Sequence, residues 1–116
     1  MNTYRAGADI GSTTVKLVIL DEAERIIFGK YRRHNAHTQG CLRELLSEAL
    51  AELGECELKL KITGSGAMGI ANALSIPFVQ EVVATSTAIS HVAPQTDVAI
   101  ELGGEDAKII YLTNGI

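Results

Sequence analysis

The same short pattern occurs near both ends of this chain. Residues 8–20 (ADIGSTTVKLVIL) and residues 100–112 (IELGGEDAKIIYL) each contain an acidic residue, an apolar residue, a glycine, four further residues, a lysine and an apolar run. Each copy predicts a strand, a tight glycine turn and a returning strand. Two copies of one hairpin predict two related lobes, because such repeats are the signature of duplicated structural units.

The segment between the two hairpins predicts an α/β lobe. Short connections between three initial strands predict an antiparallel meander, and apolar residues at helical spacing predict a long helix from an N-cap at Thr38 to Gly54. The predicted fold class is α/β with a mixed sheet in the order βββαβαβα, followed by a hairpin. The predicted strands are 4–10, 15–20, 25–33, 58–63, 76–80, 97–102 and 107–112, and the later helices end near residues 74 and 92.

The domain boundaries follow from the same pattern. Residues 1–96 are predicted to form the first lobe, and residues 97–116 the first hairpin of a second, truncated lobe. The dipeptide Asn114-Gly115 is a strong hairpin signal, but only Ile116 follows it. We therefore expect the chain to be a piece of a longer protein.

Composition excludes several classes of protein. Hydrophobic residues make up 47% of the 116 residues and charged residues 21%, which is ordinary for a globular domain. A net charge of −4 disfavours general binding to nucleic acid or anionic membranes. No apolar run approaches the roughly 20 residues that span a bilayer. Cys41 and Cys56 form no CxxC pair, so we expect neither disulfides nor zinc, and a cytoplasmic location.

The first hairpin has the chemistry of a phosphate site. Asp9 ends an apolar strand, where a carboxylate is costly unless it meets a cation or hydrogen-bond donors. Gly11 allows close backbone approach, and the hydroxyls of Ser12, Thr13 and Thr14 follow it. Successive turn amides bind anions, and Mg²⁺ takes one or two carboxylates together with phosphate and water. Two ordinary hairpins with glycine turns are the structural alternative.

These motifs resemble those of a known superfamily. Residues 9–16 (DIGSTTVK) are similar to the first phosphate motif of the sugar kinase, Hsp70 and actin superfamily, and residues 101–108 (ELGGEDAK) to its second. Together with the turn at residues 63–66 (TGSG), their order and spacing resemble the BadF/BadG/BcrA/BcrD ATPase family, which includes activators of 2-hydroxyacyl-CoA dehydratases. The resemblance extends over essentially the whole chain.

The resemblance implies a fold and an activity. The fold would be ribonuclease-H-like, of the actin-like ATPase type, with ATP between two lobes. Activators of this family are homodimers in which ATP hydrolysis drives electron transfer through a shared [4Fe-4S] cluster to a dehydratase or a related acyl-CoA reductase. The cluster ligands would follow Ile116, so this chain would hold the phosphate elements without the redox centre.

The resemblance also implies roles for individual residues. Asp9 would hold Mg²⁺ through water, and Glu101 would orient the metal or the attacking water; these are the candidate catalytic residues. Many members have Asp and Gln at the positions of Glu101 and Glu105, so both are departures from the family pattern. The candidate phosphate-contacting residues are Gly11, Ser12, Thr13, Thr14, Lys16, Gly103, Gly104 and Glu105.

Alternatives remain open at this point. A sugar-kinase-like phosphotransferase lobe, or a non-enzymatic, nucleotide-switched actin-like assembly module, would also use these motifs. Residues 64–69 (GSGAMG) match the G-x-G-x-x-G dinucleotide fingerprint, although a structural turn is favoured because the motif does not follow the first strand. His34, His37 and His91 are interpreted as surface residues, and Cys41 as a packing residue.

Overall fold

The computed structural model describes residues 1–103 and 106–112. For residues 101–103 and 106–108 it describes the backbone only. Three strands come first in the chain, followed by a long helix, a fourth strand, two shorter helices and a final hairpin. In chain order the elements are β1 (Asn2–Ile10), β2 (Thr14–Leu20), β3 (Ile26–Arg33), α1 (Thr38–Leu53), β4 (Cys56–Thr63), α2 (Met68–Leu74), α3 (Glu81–Val92), β5 (Val98–Gly103) and β6 (Asp106–Tyr111).

The mixed sheet is confirmed. Its four strands lie in the order β3-β2-β1-β4. Strand β1 pairs antiparallel with β2 and parallel with β4, and α1 forms the crossover that a parallel pair requires. The register places Asp9 opposite Lys16 on one side and Thr63 on the other. The end of β1 is therefore flanked by the start of β2 and the end of β4.

The core lies between one face of the sheet and helix α1. Alternate residues of the strands point to this face, which is why the period-two pattern of the sequence locates them. Apolar residues of α1 at helical spacing, among them Leu42, Leu45 and Ala49, pack against them. Fully buried members of the core include Ile10, Val15, Leu17, Ile19, Leu42, Leu45 and Ile62.

Truncating a core leucine of α1 tests this packing. Leu45 is 0% exposed, so Leu45→Ala is expected to lower the free energy of unfolding by about 3 kcal/mol through lost burial and an unfilled cavity. Leu50→Ala on the same helix is the matched control, because Leu50 is 44% exposed and should lose less than about 1 kcal/mol. Urea unfolding followed by circular dichroism measures both. Equal losses for the two variants would contradict the assigned core.

Two local predictions differ from the structure. Helix α1 begins at Thr38 with His37 in the cap position, and no side chain caps it. The predicted strand at residues 76–80 is replaced by a single parallel bridge between Ile62 and Phe78. Pro77 accepts a hydrogen bond from the Ile62 N–H at 2.9 Å but has no N–H of its own, so a ladder cannot extend through it.

The chain divides into two compact units, Met1–Phe78 and Val79–Ile116. The first contains the four-stranded sheet, and the second contains α3 and the β5–β6 hairpin. The division into lobes at residues 1–96 and 97–116 stays a prediction, and Asn114-Gly115 lies outside the described residues. Among the helices of the described part, none has the length and apolar character needed to cross a membrane.

The second unit repeats the hairpin of the first. Glu101 lies opposite Lys108 in the antiparallel register of β5 and β6, as Asp9 lies opposite Lys16 in that of β1 and β2. The structure thus confirms two antiparallel strand pairs of the predicted kind, each with an acid opposite a lysine in its register.

Candidate functional site

The turn between β1 and β2 is closed by one backbone hydrogen bond and has an exposed tip. The Gly11 N–H donates to the Thr14 carbonyl at 2.9 Å, which closes the turn around Ser12 and Thr13. Both turn residues are exposed. In the part of the chain that the structure describes, neither the Ser12 nor the Thr13 N–H donates to a backbone carbonyl. The exposed turn thus has two consecutive amides without a backbone acceptor among the described residues, together with two hydroxyl side chains, and consecutive turn amides can bind anions.

A half-buried carboxylate lies just before this turn. Asp9 points to the sheet face opposite the core, because its neighbours Ala8 and Ile10 are buried on the other side. Thr63 is its register partner on β4 and shares that face. The Thr63 Oγ1 is buried and has no hydrogen-bond partner among the described residues. An unsatisfied buried hydroxyl is costly, so Asp9 and Thr63 together form a polar site suited to a ligand or its bound water.

The donor set fits Mg²⁺ better than a fully protein-ligated metal. Within the described residues, no group of three or more His, Cys, Asp or Glu side chains is placed to hold a metal ion. Mg²⁺ is usually held by one or two carboxylates and completes its shell with water and substrate phosphates. Asp9 beside the open amides of Ser12 and Thr13 has that character.

A glycine turn packs directly against the end of β1. Gly64 has a φ of +115°, and a Cβ at this position would lie 2.2 Å from the Ile10 carbonyl oxygen. The Gly66 N–H donates to the same oxygen at 3.0 Å. Close backbone packing therefore accounts for Gly64. At Gly69, by contrast, an added Cβ would meet no described heavy atom within 4 Å beyond its chain neighbours and its own helix backbone. Only the start of the G-x-G-x-x-G pattern is thus required by close packing, which supports the structural-turn interpretation.

One residue at the turn was missed by the sequence analysis. His34 follows β3, and its Nε2 lies 3.0 Å from the Gly11 carbonyl oxygen. Its backbone N–H donates to the Thr13 carbonyl at 3.0 Å. The only available signal was its position: a polar residue at the end of a strand that pairs with β2 reaches the same edge as the start of β2. His34 is therefore a half-buried residue bonded to the turn, and its interpretation as a surface histidine is corrected.

The structure brings together part of the predicted site. Gly11, Ser12, Thr13 and Thr14 form or border one turn beside Asp9, and Lys16 is exposed on the adjacent strand. Glu101 and Gly103 belong to the backbone of β5 in the second unit. Gly104 and Glu105 lie outside the described residues. The contribution of the second hairpin to a shared site stays a prediction.

A separate ion-pair cluster joins β3 to α1. Arg32 contacts Glu48 at 2.6 Å and Glu44 at 3.4 Å, and Lys30 contacts Glu48 at 3.4 Å. The hydrogen bond from Arg32 lowers the pKa of Glu48, and the same bond raises the pKa of Arg32. Lys30 and Arg32 pair with Leu17 and Val15, whose side chains are on the core face, so this cluster lies on the sheet face opposite Asp9. We infer that these ion pairs help to hold α1 against β3.

Cys41 belongs to the core side of this cluster. Burial is the main cause that raises the pKa of its thiol. Its Sγ lies 3.9 Å from the Arg32 carbonyl oxygen. A raised pKa keeps the thiol protonated and poorly nucleophilic near neutral pH, which supports its interpretation as a packing residue.

Two curated proteins are similar to nearly the whole chain. The chain is 32% identical over 114 residues to the 2-hydroxyisocaproyl-CoA dehydratase activator of Clostridioides difficile. It is 27% identical over 118 residues to the (R)-2-hydroxyglutaryl-CoA dehydratase activating ATPase of Acidaminococcus fermentans. The matches cover 96% and 99% of this chain but only 42% and 45% of these relatives. No protein-family model matches the chain.

Solved structures give the same result. The C. difficile activator with bound ADPNP superposes with a TM-score of 0.81 at 31% identity, covering 96% of this chain and 41% of that one. The A. fermentans component A gives 0.79 at 26% identity, covering 98% and 44%. The ethanolamine utilization protein EutJ of Carboxydothermus hydrogenoformans gives 0.72 at 18%, covering 97% and 48%, which shows the fold alone. The predicted resemblance and the actin-like ATPase fold class are confirmed.

Proposed function

We propose that this chain is the ATP-binding portion of an activator of a 2-hydroxyacyl-CoA dehydratase. Its curated relatives, which are similar to it over almost its whole length, are such activators, and one related structure has ADPNP bound. The observation that carries the proposal is the β1–β2 turn, where the open Ser12 and Thr13 amides lie beside a half-buried Asp9.

The residues of the first unit divide the work of binding a triphosphate. The Ser12 and Thr13 amides and the hydroxyls of residues 12–14 donate to phosphate oxygens, where charge-assisted hydrogen bonds are strong. Asp9 would hold Mg²⁺ through water, and the buried Thr63 hydroxyl, which has no hydrogen-bond partner among the described residues, could bond to such a water. Lys16, opposite Asp9, adds a positive charge near the phosphates. Bound Mg²⁺ would neutralise charge on the phosphate oxygens.

The second hairpin and the rest of the activator complete the proposal. Glu101 orients the metal or the attacking water, and Gly103, Gly104 and Glu105 contact the phosphates. The whole protein would be a cytoplasmic homodimer in which a [4Fe-4S] cluster, with ligands expected outside this chain, would supply the electron transfer that ATP hydrolysis drives towards the dehydratase. These roles come from the family resemblance. The chain itself spans less than half the length of the curated relatives it matches.

The chain alone is expected to bind Mg·ATP weakly and not to turn it over. Phosphoryl transfer depends on positioning and on charge stabilisation from both sides of the phosphates, and a single lobe supplies only part of this. Steady-state phosphate release at saturating Mg·ATP measures turnover, with the complete C. difficile activator as the positive control. Isothermal titration calorimetry in parallel measures binding.

The two measurements separate the possible outcomes. Binding without turnover supports the proposal. Turnover comparable to that of the complete activator would contradict the division of the site between two lobes. A chain that is folded by circular dichroism but binds neither Mg·ATP nor Mg·ADP at millimolar concentration would contradict the proposed function itself.

A further inference from the structure

His34 connects the end of β3 to the candidate phosphate turn. Its ring approaches the Gly11 carbonyl through Nε2 at 3.0 Å, and its backbone N–H donates to the Thr13 carbonyl at 3.0 Å. The Ala36 N–H donates to the ring Nδ1 at 3.1 Å. One residue therefore contacts both carbonyls that flank the open amides of the turn.

The hydrogen-bond partners determine the tautomer of the ring. Since Nδ1 accepts a hydrogen bond from the Ala36 N–H, it has no proton of its own. In a neutral imidazole the proton is then on Nε2, which makes Nε2 the donor and the Gly11 carbonyl the acceptor. The bond to Gly11 is thus a true N–H···O=C hydrogen bond.

The backbone after His34 is bent so that it supports this ring orientation. Asn35 has a φ of +47° and Ala36 a φ of +68°, in the left-handed region that non-glycine residues seldom adopt. The His37 N–H closes the bend by donating to the His34 carbonyl at 2.8 Å. Unfavourable backbone conformations of this kind persist where surrounding contacts over-determine them, and here they bring the Ala36 amide to the ring.

The geometry of the peptide bond transmits this constraint to the turn. A trans peptide is planar, and its C=O and N–H point in opposite directions. Because His34 holds the Gly11 carbonyl towards itself, the Ser12 N–H points away from His34. The bond to the Thr13 carbonyl orients the Thr13–Thr14 peptide in the same way. Both carbonyl oxygens, which would repel an anion, are thereby held on the His34 side of the turn.

We propose that His34 is a positioning residue that pre-organises the β1–β2 turn for phosphate. His34 contacts backbone carbonyls of the turn and not the ligand itself, so its effect on ligand binding is indirect. The inference rests on the proposed function for the identity of the ligand, but the orientation of the turn is a property of the free chain and can be measured without nucleotide.

Two variants separate the ring's contacts with Gly11 and with Ala36. His34→Gln places an amide nitrogen the same number of bonds from Cα as Nε2, so it keeps a donor for Gly11. His34→Asn keeps an acceptor for the Ala36 N–H at the position of Nδ1 but is too short to reach Gly11. His34→Asn is expected to raise the dissociation constant for Mg·ATP about three- to tenfold, the equivalent of one lost hydrogen bond. His34→Gln is expected to stay within about twofold of the wild type.

Nuclear magnetic resonance of the nucleotide-free chain provides the readout that a purely structural role would not produce. In the wild type, long-range ¹H–¹⁵N spectra of the ring should show a protonated Nε2 and an unprotonated Nδ1. His34→Asn should shift the Ser12 amide resonance strongly, whereas His34→Gln should leave it near its wild-type position. A ring protonated on Nδ1 alone would overturn the proposal without any variant. So would equal effects of the two variants on the Ser12 resonance.

The positioning role and the proposed function fail separately. If the wild-type chain does not bind Mg·ATP but the ring tautomer and the Ser12 shifts are as expected, the proposed function is wrong, whereas the orientation that His34 gives to the turn is confirmed. If the wild type binds Mg·ATP and both His34 variants bind equally well, the positioning role is wrong and the proposed function stands.

Discussion

Gly64→Ala is expected to unfold the Met1–Phe78 unit. A Cβ on Gly64 would lie 2.2 Å from the Ile10 carbonyl oxygen and 2.6 Å from the Ile10 carbonyl carbon and nitrogen. These are backbone atoms of the central strand β1, so they cannot move aside without breaking its pairing with β2 and β4. The φ of +115° adds backbone strain for any other residue. We expect a loss of at least about 4 kcal/mol, which is most of the stability of a small domain.

Gly69→Ala is the matched control for this substitution. Gly69 lies in α2 and has no positive φ, and a Cβ added to it would meet no described heavy atom within 4 Å beyond its chain neighbours and its own helix backbone. Alanine is favoured over glycine in a helix by about 1 kcal/mol, so this variant should be as stable as the wild type or more so. Thermal and urea unfolding followed by circular dichroism compare the two. A Gly64→Ala variant within about 1 kcal/mol of the wild type would show that the turn does not pack on β1 as described.

Asp9→Asn is expected to remove the Mg²⁺ dependence of ATP binding. If Asp9 has the proposed role, the wild-type carboxylate would hold the metal and repel metal-free ATP, so affinity should rise strongly when Mg²⁺ is added. The variant should bind Mg·ATP at least tenfold more weakly, about 1.4 kcal/mol. Without Mg²⁺, its affinity for ATP should be unchanged or higher, because a negative charge beside the phosphates is gone. Calorimetric titrations with and without EDTA measure both effects.

Asp21→Asn controls for the loss of a carboxylate elsewhere in the sheet. Asp21 accepts hydrogen bonds from the Ala23 and Arg25 N–H groups at 2.9 Å and pairs with the Arg25 side chain, contacts that lower its pKa. It follows the far end of β2, away from the phosphate turn. This variant should keep the wild-type affinity for Mg·ATP. If the Asp9→Asn variant keeps the wild-type Mg²⁺ dependence, the assignment of Asp9 to the metal site is wrong.

The sheet was predictable because its signals are local. Alternation in β1, the apolar run of β2 and the short connections between the first strands are enough to predict the antiparallel meander, and the repeated pattern predicts that Glu101 and Lys108 correspond to Asp9 and Lys16. The structure adds the register in which these acid–lysine pairs face each other. The prediction of a brief strand at residues 76–80 was wrong because its hydrogen-bond ladder would have to pass Pro77, which has no N–H.

The remainder of the site depends on contacts between residues distant in sequence. Gly64 is required because of its neighbour Ile10 on β1, and the position of Thr63 beside Asp9 depends on the parallel register of β1 and β4. His34 reaches Gly11 because β3 pairs with β2 in a register that ends beside the turn. Local patterns in a single sequence predict none of these registers. The hydrogen bonds that hold the turn therefore could not be inferred from the sequence.

Residue-resolved titration of the isotope-labelled chain with Mg·ATP tests the central claim most directly. We expect that the largest amide shifts fall on Gly11, Ser12, Thr13 and Thr14, that Mg·tripolyphosphate reproduces them, and that adenosine does not. Shifts centred on residues 64–69, or a triphosphate response spread over exposed lysines with the β1–β2 turn unaffected, would contradict the assignment of this turn as the phosphate site.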